Sequence, residues 1–249
     1  METVKTTRRE FVKYSTLGIL GLVLGGGIIF TPYARGSENR LRPPGAVPEK
    51  DFLALCIKCG QCVQVCPYHA IELSDITKGF GEGTPYVDAN VRACYACNAV
   101  PCVLACPSGA LEHSCEKAED IKMGIAVLEF PDTCLAINNK SVPKGYNAKM
   151  LEFTNSVRHI NELETNLLEK FGDYEGKACT LCADICPIPN PLSAISMVKD
   201  AKGGSRPEIY DGCIGCGACQ EVCPTNVPSI VVKPRLSYED YYINKKGSL

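Results

Sequence analysis

The stretch C-I-K-C-G-Q-C-V-Q-V-C-P, with Cys56, Cys59, Cys62 and Cys66 followed by Pro67, constrains this chain more than any other. Three cysteines at successive spacings of three can wrap one iron–sulfur cube. A fourth, four residues on and followed by proline, points toward a second cube. One such run therefore predicts another. Cys94, Cys97, Cys102 and Cys106 repeat it with a longer middle gap, and Cys213, Cys216, Cys219 and Cys223 repeat the tight version. Cys179, Cys182 and Cys186, followed by Pro187, form a fourth copy that lacks its first ligand nearby. Sixteen of the 17 cysteines then fit four [4Fe-4S] clusters once Cys134 is taken as the missing ligand.

Because the fourth cysteine of each run serves the neighbouring cube, the ligand sets cross between motifs. Cys56, Cys59 and Cys62 are expected to pair with Cys106, and Cys94, Cys97 and Cys102 with Cys66. Cys213, Cys216 and Cys219 are expected to pair with Cys186. Cys134, Cys179 and Cys182 are expected to pair with Cys223. Cys134 is preferred to the other spare thiol, Cys115, because it follows an apolar stretch, Ile125 to Phe130, as strands precede other motifs. The long gap from Cys134 to Cys179 is a weak objection, since each doubling of a loop costs only about 0.6 kcal/mol.

Other uses of cysteine fit the spacing poorly. Disulfide frameworks do not come as four proline-terminated runs of similar internal spacing. A tetrahedral zinc site needs two C-x2-C pairs and leaves the third cysteine of each run over. Covalent haem needs a histidine after C-x-x-C, and none of the pairs here has one. Pro67, Pro107, Pro187 and Pro224 hold the cysteine before them extended, while Gly60 and Gly217 supply the positive φ that lets backbone N–H groups face sulfur. His69, His113 and His159 show no catalytic spacing and read as surface or turn residues.

The formal charge is −2 with the thiols neutral, and four oxidised cubes would bring it to about −10. That disfavours nucleic acid, which needs clustered positive charge, and suits a basic or haem-bearing redox partner. With no Trp and 7 Phe, two small modules would have modest cores, so folding is expected to depend on the metal.

Along the chain, Thr7-Arg8-Arg9-Glu10-Phe11-Val12-Lys13 before the apolar run Leu17 to Phe30 has the layout of a twin-arginine export signal over residues 1–34. The run is short against the about 20 residues of a membrane span, and Ala34 and Gly36 offer a small-x-small cleavage site. Cleavage and retention as an N-terminal anchor both stay open, and either places the body in the periplasm. Residues 35–50 read as a stiff Pro-rich linker. The expected class is α+β: two tandem ferredoxin-like dicluster modules, 51–120 and 121–235, and a Tyr-rich tail, 236–249. Candidate strands follow the motifs at Ala70–Leu73, Ala110–Glu112, Ala194–Met197 and Ser229–Val232, and precede them at Pro85–Asp88, Ile125–Phe130 and Glu208–Tyr210. An insertion, 138–174, carries apolar residues at helical intervals from Asn155 to Phe171, which predicts a helix packed over the second module.

The export signal, the R-P-P-G-A segment, C-I-K-C-G-Q-C-V-Q-V-C-P, C-N-A-V-P-C, C-P-S-G-A-L and D-T-C-L together resemble the NapG/MauM family of ferredoxin-type proteins. The stretch after Ile137 departs from the family pattern, in which Cys134 and the following C-x2-C pair lie closer together. The resemblance implies four [4Fe-4S] clusters and electron transfer from a membrane-bound quinol dehydrogenase of the NapH type toward periplasmic nitrate reductase or a cytochrome c. Relatives serving nitrous-oxide respiration or methylamine oxidation make those pathways the alternatives. Such a chain is the electron-transfer component of an oxidoreductase complex, with no catalytic residue of its own. Two rival readings are an iron–sulfur subunit bound to a molybdopterin enzyme and a maturation or structural factor whose clusters only hold the fold.

Overall fold

A computed structural model describes Thr16 and residues 40–76, 79–157, 160–188, 194–199 and 203–244. The twin-arginine stretch, the apolar run after it and His159 lie outside the described residues. No helix among the described residues is long and apolar enough to cross a membrane. Glu38–Leu73 and Thr84–Leu249 form one compact unit that contains all the cysteines. Ser74–Gly83 belongs to a second unit. There, Ser74 closes a loop, its Oγ donating to the Gly81 carbonyl and its own carbonyl accepting from Gly83 N–H, both at 2.7 Å.

In the first half, helix α1 (Glu49–Leu55) leads into the first cysteine loop, and the one-turn helix α2 (Gln61–Gln64) follows it. Strands β1 (Ile71–Leu73) and β2 (Pro85–Val87) pair antiparallel, Ile71 opposite Val87. Helix α3 (Pro101–Leu104) starts on a proline, whose missing N–H costs nothing at a helix start. In the second half come β3 (Gly124–Leu128), α4 (Tyr146–Val157), α5 (Glu162–Lys170), α6 (Leu181–Asp184), β4 (Ile195–Lys199), β5 (Ser205–Ile209), α7 (Ala218–Glu221) and β6 (Ile230–Pro234). β3 pairs antiparallel with β6, and β4 with β5. β3 is buried and β-branched at Ile125 and Val127, while Pro207 is tolerated in β5 because a two-stranded sheet has only edges.

Six of the seven expected strands form. At Ala110–Glu112 there is only an isolated bridge, Leu111 opposite Ala46, because the partner there is the short Pro-rich segment. That segment corrects the expectation of a linker over 35–50. Leu41 to Pro44 are buried, Leu41 bridges Val87, and Glu112 N–H donates to the Gly45 carbonyl at 2.6 Å. Arg42 explains the docking: its guanidinium meets Glu49, Thr84 Oγ1 and the Pro85 carbonyl at 2.6–3.0 Å and lies 4.6 Å over the Phe52 ring.

The single helix expected over Asn155 to Phe171 is two helices. Asn161 is extended and caps α5, its side chain accepting from Glu164 N–H while Glu164 Oε2 accepts from Asn161 N–H. This reciprocal capping box restarts the helix. Nor does α5 pack over the second module alone. Leu168 and Phe171 enter the core of the second module, but Asn161 Nδ2 donates to the Pro67 carbonyl at 2.7 Å. In the tail, Glu239–Ile243 form a wide helical turn that stacks Tyr238 on Tyr242 and lets Tyr242 donate to the Ala126 carbonyl at 3.0 Å. The halves are not separately cored: one apolar cluster joins Phe52, Val103 and Leu111 to Ile188, Ile214 and Val232.

Candidate metal centres

Each motif turns its backbone onto its own sulfurs. Lys58, Ala96 and Gly215, two residues after the first cysteine of their runs, all have positive φ, and their N–H groups bond Cys56, Cys94 and Cys213. Gly60 and Gly217 have φ of 74° and 90°, and each caps the one-turn helix that carries the rest of its motif. The second motif, without glycine there, takes positive φ at Ala99 and Val100 instead. Lys58, Ala96, Ala99 and Val100 gave no sign of this in the sequence, because only glycine advertises positive φ.

The described residues bring the sixteen expected cysteines to four cavities, four to each. Cys56, Cys59, Cys62 and Cys106 line one, and Cys66, Cys94, Cys97 and Cys102 the next. Cys186, Cys213, Cys216 and Cys219 line a third, and Cys134, Cys179, Cys182 and Cys223 a fourth. No three His, Cys, Asp or Glu side chains among the described residues converge closely enough to hold a single ion. The thiols surround volumes rather than points. Soft sulfur donors, four to a cavity and not converging on one point, suit a multi-iron cluster.

Burial makes these thiols poor acids as they stand. It pushes Cys62 up to about 11, with Cys56 and Cys59 adding repulsion. Burial likewise pushes Cys102 up to about 12, with Cys66 and Cys62 adding to it. Cys179 rises to about 11 through burial, the Leu181 N–H opposing and Cys223 and Cys134 adding. Four thiolates can share such a cavity only around compensating cations, so loading must release protons. Cys106 differs: burial raises it, yet the N–H groups of Leu111, Ser108 and Ala110 and the Ser108 hydroxyl together bring it below the usual thiol value. Further N–H groups are aimed at sulfur by residues that flank the motifs: Ala70 to Cys66, Leu111 to Cys106, Ser229 to Cys223 and Ala126 in β3 to Cys213, at 3.3–3.4 Å.

Cys115 lines none of these cavities. It is buried beside Gly45, where a Cβ would come within 3.2 Å of its own Cβ. His113 is exposed and bonds the Cys106 carbonyl, and His69 is half-exposed with Nδ1 3.1 Å from Glu164 Oε2. What sequence reasoning missed is a buried charge network. Arg92 pairs with Glu221 at 2.6 Å and has Glu164 at 3.5 Å, all three almost wholly buried. Glu221 also accepts from Ala93 N–H at 2.7 Å and Tyr95 hydroxyl at 3.1 Å.

The 4Fe-4S dicluster domain family matches residues 55–110 and 177–227. The chain is 32% identical to the ferredoxin-type protein NapG of Escherichia coli (strain K12) over 223 residues, 88% of this chain and 79% of that one. It is 32% identical over 239 residues to the methylamine utilization ferredoxin-type protein MauM of Paracoccus denitrificans (strain Pd 1222), covering 93% and 89% of the two chains. NapG of Haemophilus influenzae (strain ATCC 51907 / DSM 11121 / KW20 / Rd) is 30% identical, with 91% and 71% covered. No solved structure matches the chain.

Proposed function

Given that this chain belongs to the NapG/MauM family of ferredoxin-type proteins, we propose that it is a periplasmic four-cluster electron carrier. On this reading it accepts electrons from a membrane quinol dehydrogenase of the NapH type and delivers them to a periplasmic cytochrome c or nitrate reductase. The observation that carries the reading is the make-up of the cavities. In three of the four, a motif supplies three cysteines and its partner supplies the last. The fourth joins Cys134 to Cys179, Cys182 and Cys223. When bound, a [4Fe-4S] cluster takes up or releases one electron at a time.

The chain's own residues set the conditions for that. Cysteine thiolates anchor each cluster, and N–H groups such as those of Ala70, Leu111 and Ser229 stabilise negative charge on sulfur, which raises the potential. The cavity walls, Ala70, Ile71, Val87 and Val100 in one and Ile188, Ala194, Ile195 and Ile214 in another, exclude water. The twin-arginine route supports the periplasmic location, since it exports folded proteins and clusters must be inserted before export. A relative named for methylamine utilization matches at the same identity as NapG, which favours methylamine oxidation as the second pathway.

The test is an anaerobic iron and sulfide count with a reductive EPR titration of the full chain. About sixteen irons, with clusters that titrate in the quinone range, are expected. A stoichiometric molybdopterin subunit that co-purifies would favour an enzyme subunit, and clusters inert across that range would favour a structural factor.

A further inference from the structure

The cavities are linked in a definite order. Within the first module two helical turns bridge a pair of them. Cys62 lines one cavity and Cys66 the next, and Cys102 and Cys106 span the same two in reverse. Cys182 with Cys186, and Cys219 with Cys223, do the same in the second module. Between modules the link is made by backbone. Cys94 N–H donates to the Cys216 carbonyl at 3.0 Å, and Cys94 and Gly217 form an isolated parallel bridge. Among the described residues this is the only backbone hydrogen bond joining cysteines of the two modules. The approach leaves no slack, for a Cβ on Gly217 would stand 2.6 Å from the Ala89 Cβ.

A buried clamp holds this junction. Glu221, two residues beyond Cys219, receives Arg92, Ala93 N–H and the Tyr95 hydroxyl, which flank Cys94. Gln220 Nε2 adds a bond to Asn90 at 2.8 Å.

We infer that the four cysteine sets form one unbranched row: the set with Cys56, then that with Cys94, then that with Cys213, then that with Cys134, with the cysteine sets of the two modules adjoining at Cys94 and Cys216. This deepens the four-cluster reading and rests on it. The row differs from motif order, since the last motif's set lies inside and the third motif's set at the end. An electron crossing the junction oxidises the group on one side by one unit and reduces the group on the other by one, with no bond or proton moved. The first end of the row opens to solvent at Cys59, the one exposed cysteine of the 17.

The test is EPR of the fully reduced, full-length protein, in which neighbouring clusters broaden one another's signals, compared with variants that each lose or alter one cluster. Cys97→Ala is expected to narrow two remaining signals, one from each module. Cys59→Ala and Cys134→Ala are each expected to narrow one, belonging to the same module. If Cys97→Ala fails to load, the two end variants decide. Narrowing in the opposite module after either end substitution overturns the row. A parent protein with about twelve irons overturns the four-cluster reading itself, whereas about sixteen irons with cross-module narrowing from an end variant overturns the row alone.

Discussion

Backbone lies directly against backbone at Gly215, and this gives a quantitative prediction. The Cys213–Cys223 motif lies across the start of β3, with Met123 N–H donating to the Ile214 carbonyl at 3.0 Å. A Cβ on Gly215 would fall 2.3 Å from the Gly124 carbonyl carbon and oxygen, at a residue whose φ is +66°. Gly215→Ala therefore incurs two costs. The left-handed conformation is worth roughly 1–2 kcal/mol against a non-glycine residue. Forcing two backbone segments apart adds about 1–3 kcal/mol, as overpacking does. The sum, about 2–5 kcal/mol, is a large share of the ~5–15 kcal/mol that stabilises an ordinary domain. Gly109→Ala is the control, because Gly109 has φ +73° with nothing within 4 Å of the added carbon. It should show the conformational cost alone. For a chain of this size each kcal/mol moves the melting temperature by about 2–4 °C. Cluster-loaded Gly215→Ala should melt roughly 4–20 °C lower, and clearly lower than Gly109→Ala, in anaerobic thermal scans at one fixed rate. Equal melting of the two variants would refute the close approach.

Three further outcomes are expected. Cys134→Ala should lower iron from about sixteen atoms to about twelve, or leave a three-iron centre, while Cys115→Ala keeps the full count in the same assay; the opposite pattern would make Cys115 the ligand. Replacing Arg8 and Arg9 with lysine should leave loaded protein in the cytoplasm, read by fractionation, and normal periplasmic accumulation would rule out the twin-arginine route. Glu175 accepts N–H groups of Gly145 and Asn147 at 2.9 Å, and these hold its carboxyl below the usual range. A depressed carboxyl stabilises the fold above its unfolded value of about 4.3 and loses that contribution as pH falls through the folded value. Amide protection at the start of α4, taken relative to the intrinsic exchange rate at each pH, should therefore fall as pH drops below about 4 in the parent, and vary less with pH in Glu175→Gln.

How much of this was legible in the sequence depended on range. Spacing groups fifteen of the cysteines as the four cavities group them, because cluster geometry would fix the distance between successive cysteines and the crossing of the fourth. Cys134, singled out by its place after a strand, lines the cavity with Cys179, Cys182 and Cys223, and Cys115 lines none of the four. The helix over Asn155 to Phe171 was misjudged because apolar periodicity runs through Asn161 unbroken, whereas the Asn161-x-x-Glu164 capping box, a purely local signal, was present and overrides it. The supposed linker shows the opposite limit. Pro43-Pro44-Gly45 is a fair signature of a stiff extended segment, and the segment is stiff, but nothing in its composition says that Arg42 would find Glu49, Thr84 and Pro85.

The buried charges lay beyond any such reading, and they show why the two halves form one body. Arg92 and Glu221 are 129 positions apart, and Glu164 comes from neither dicluster match. A lone buried carboxylate or guanidinium is costly enough that removing one partner of such a pair typically destabilises by about 3–5 kcal/mol. None of the three residues can therefore be accommodated unless both modules and α5 are in place together. α5 thus does more than cover apolar surface. By capping itself with Asn161 it points Glu164 at Arg92 and His69, while the Asn161 side chain holds the Pro67 carbonyl beside Cys66. A segment unlike the repeated motifs is in this way tied to the end of the first motif and to the junction of the modules. Stability would then be shared between cluster ligation within each module and this charge network between them, so losing Glu164 should loosen the junction before it empties any cavity.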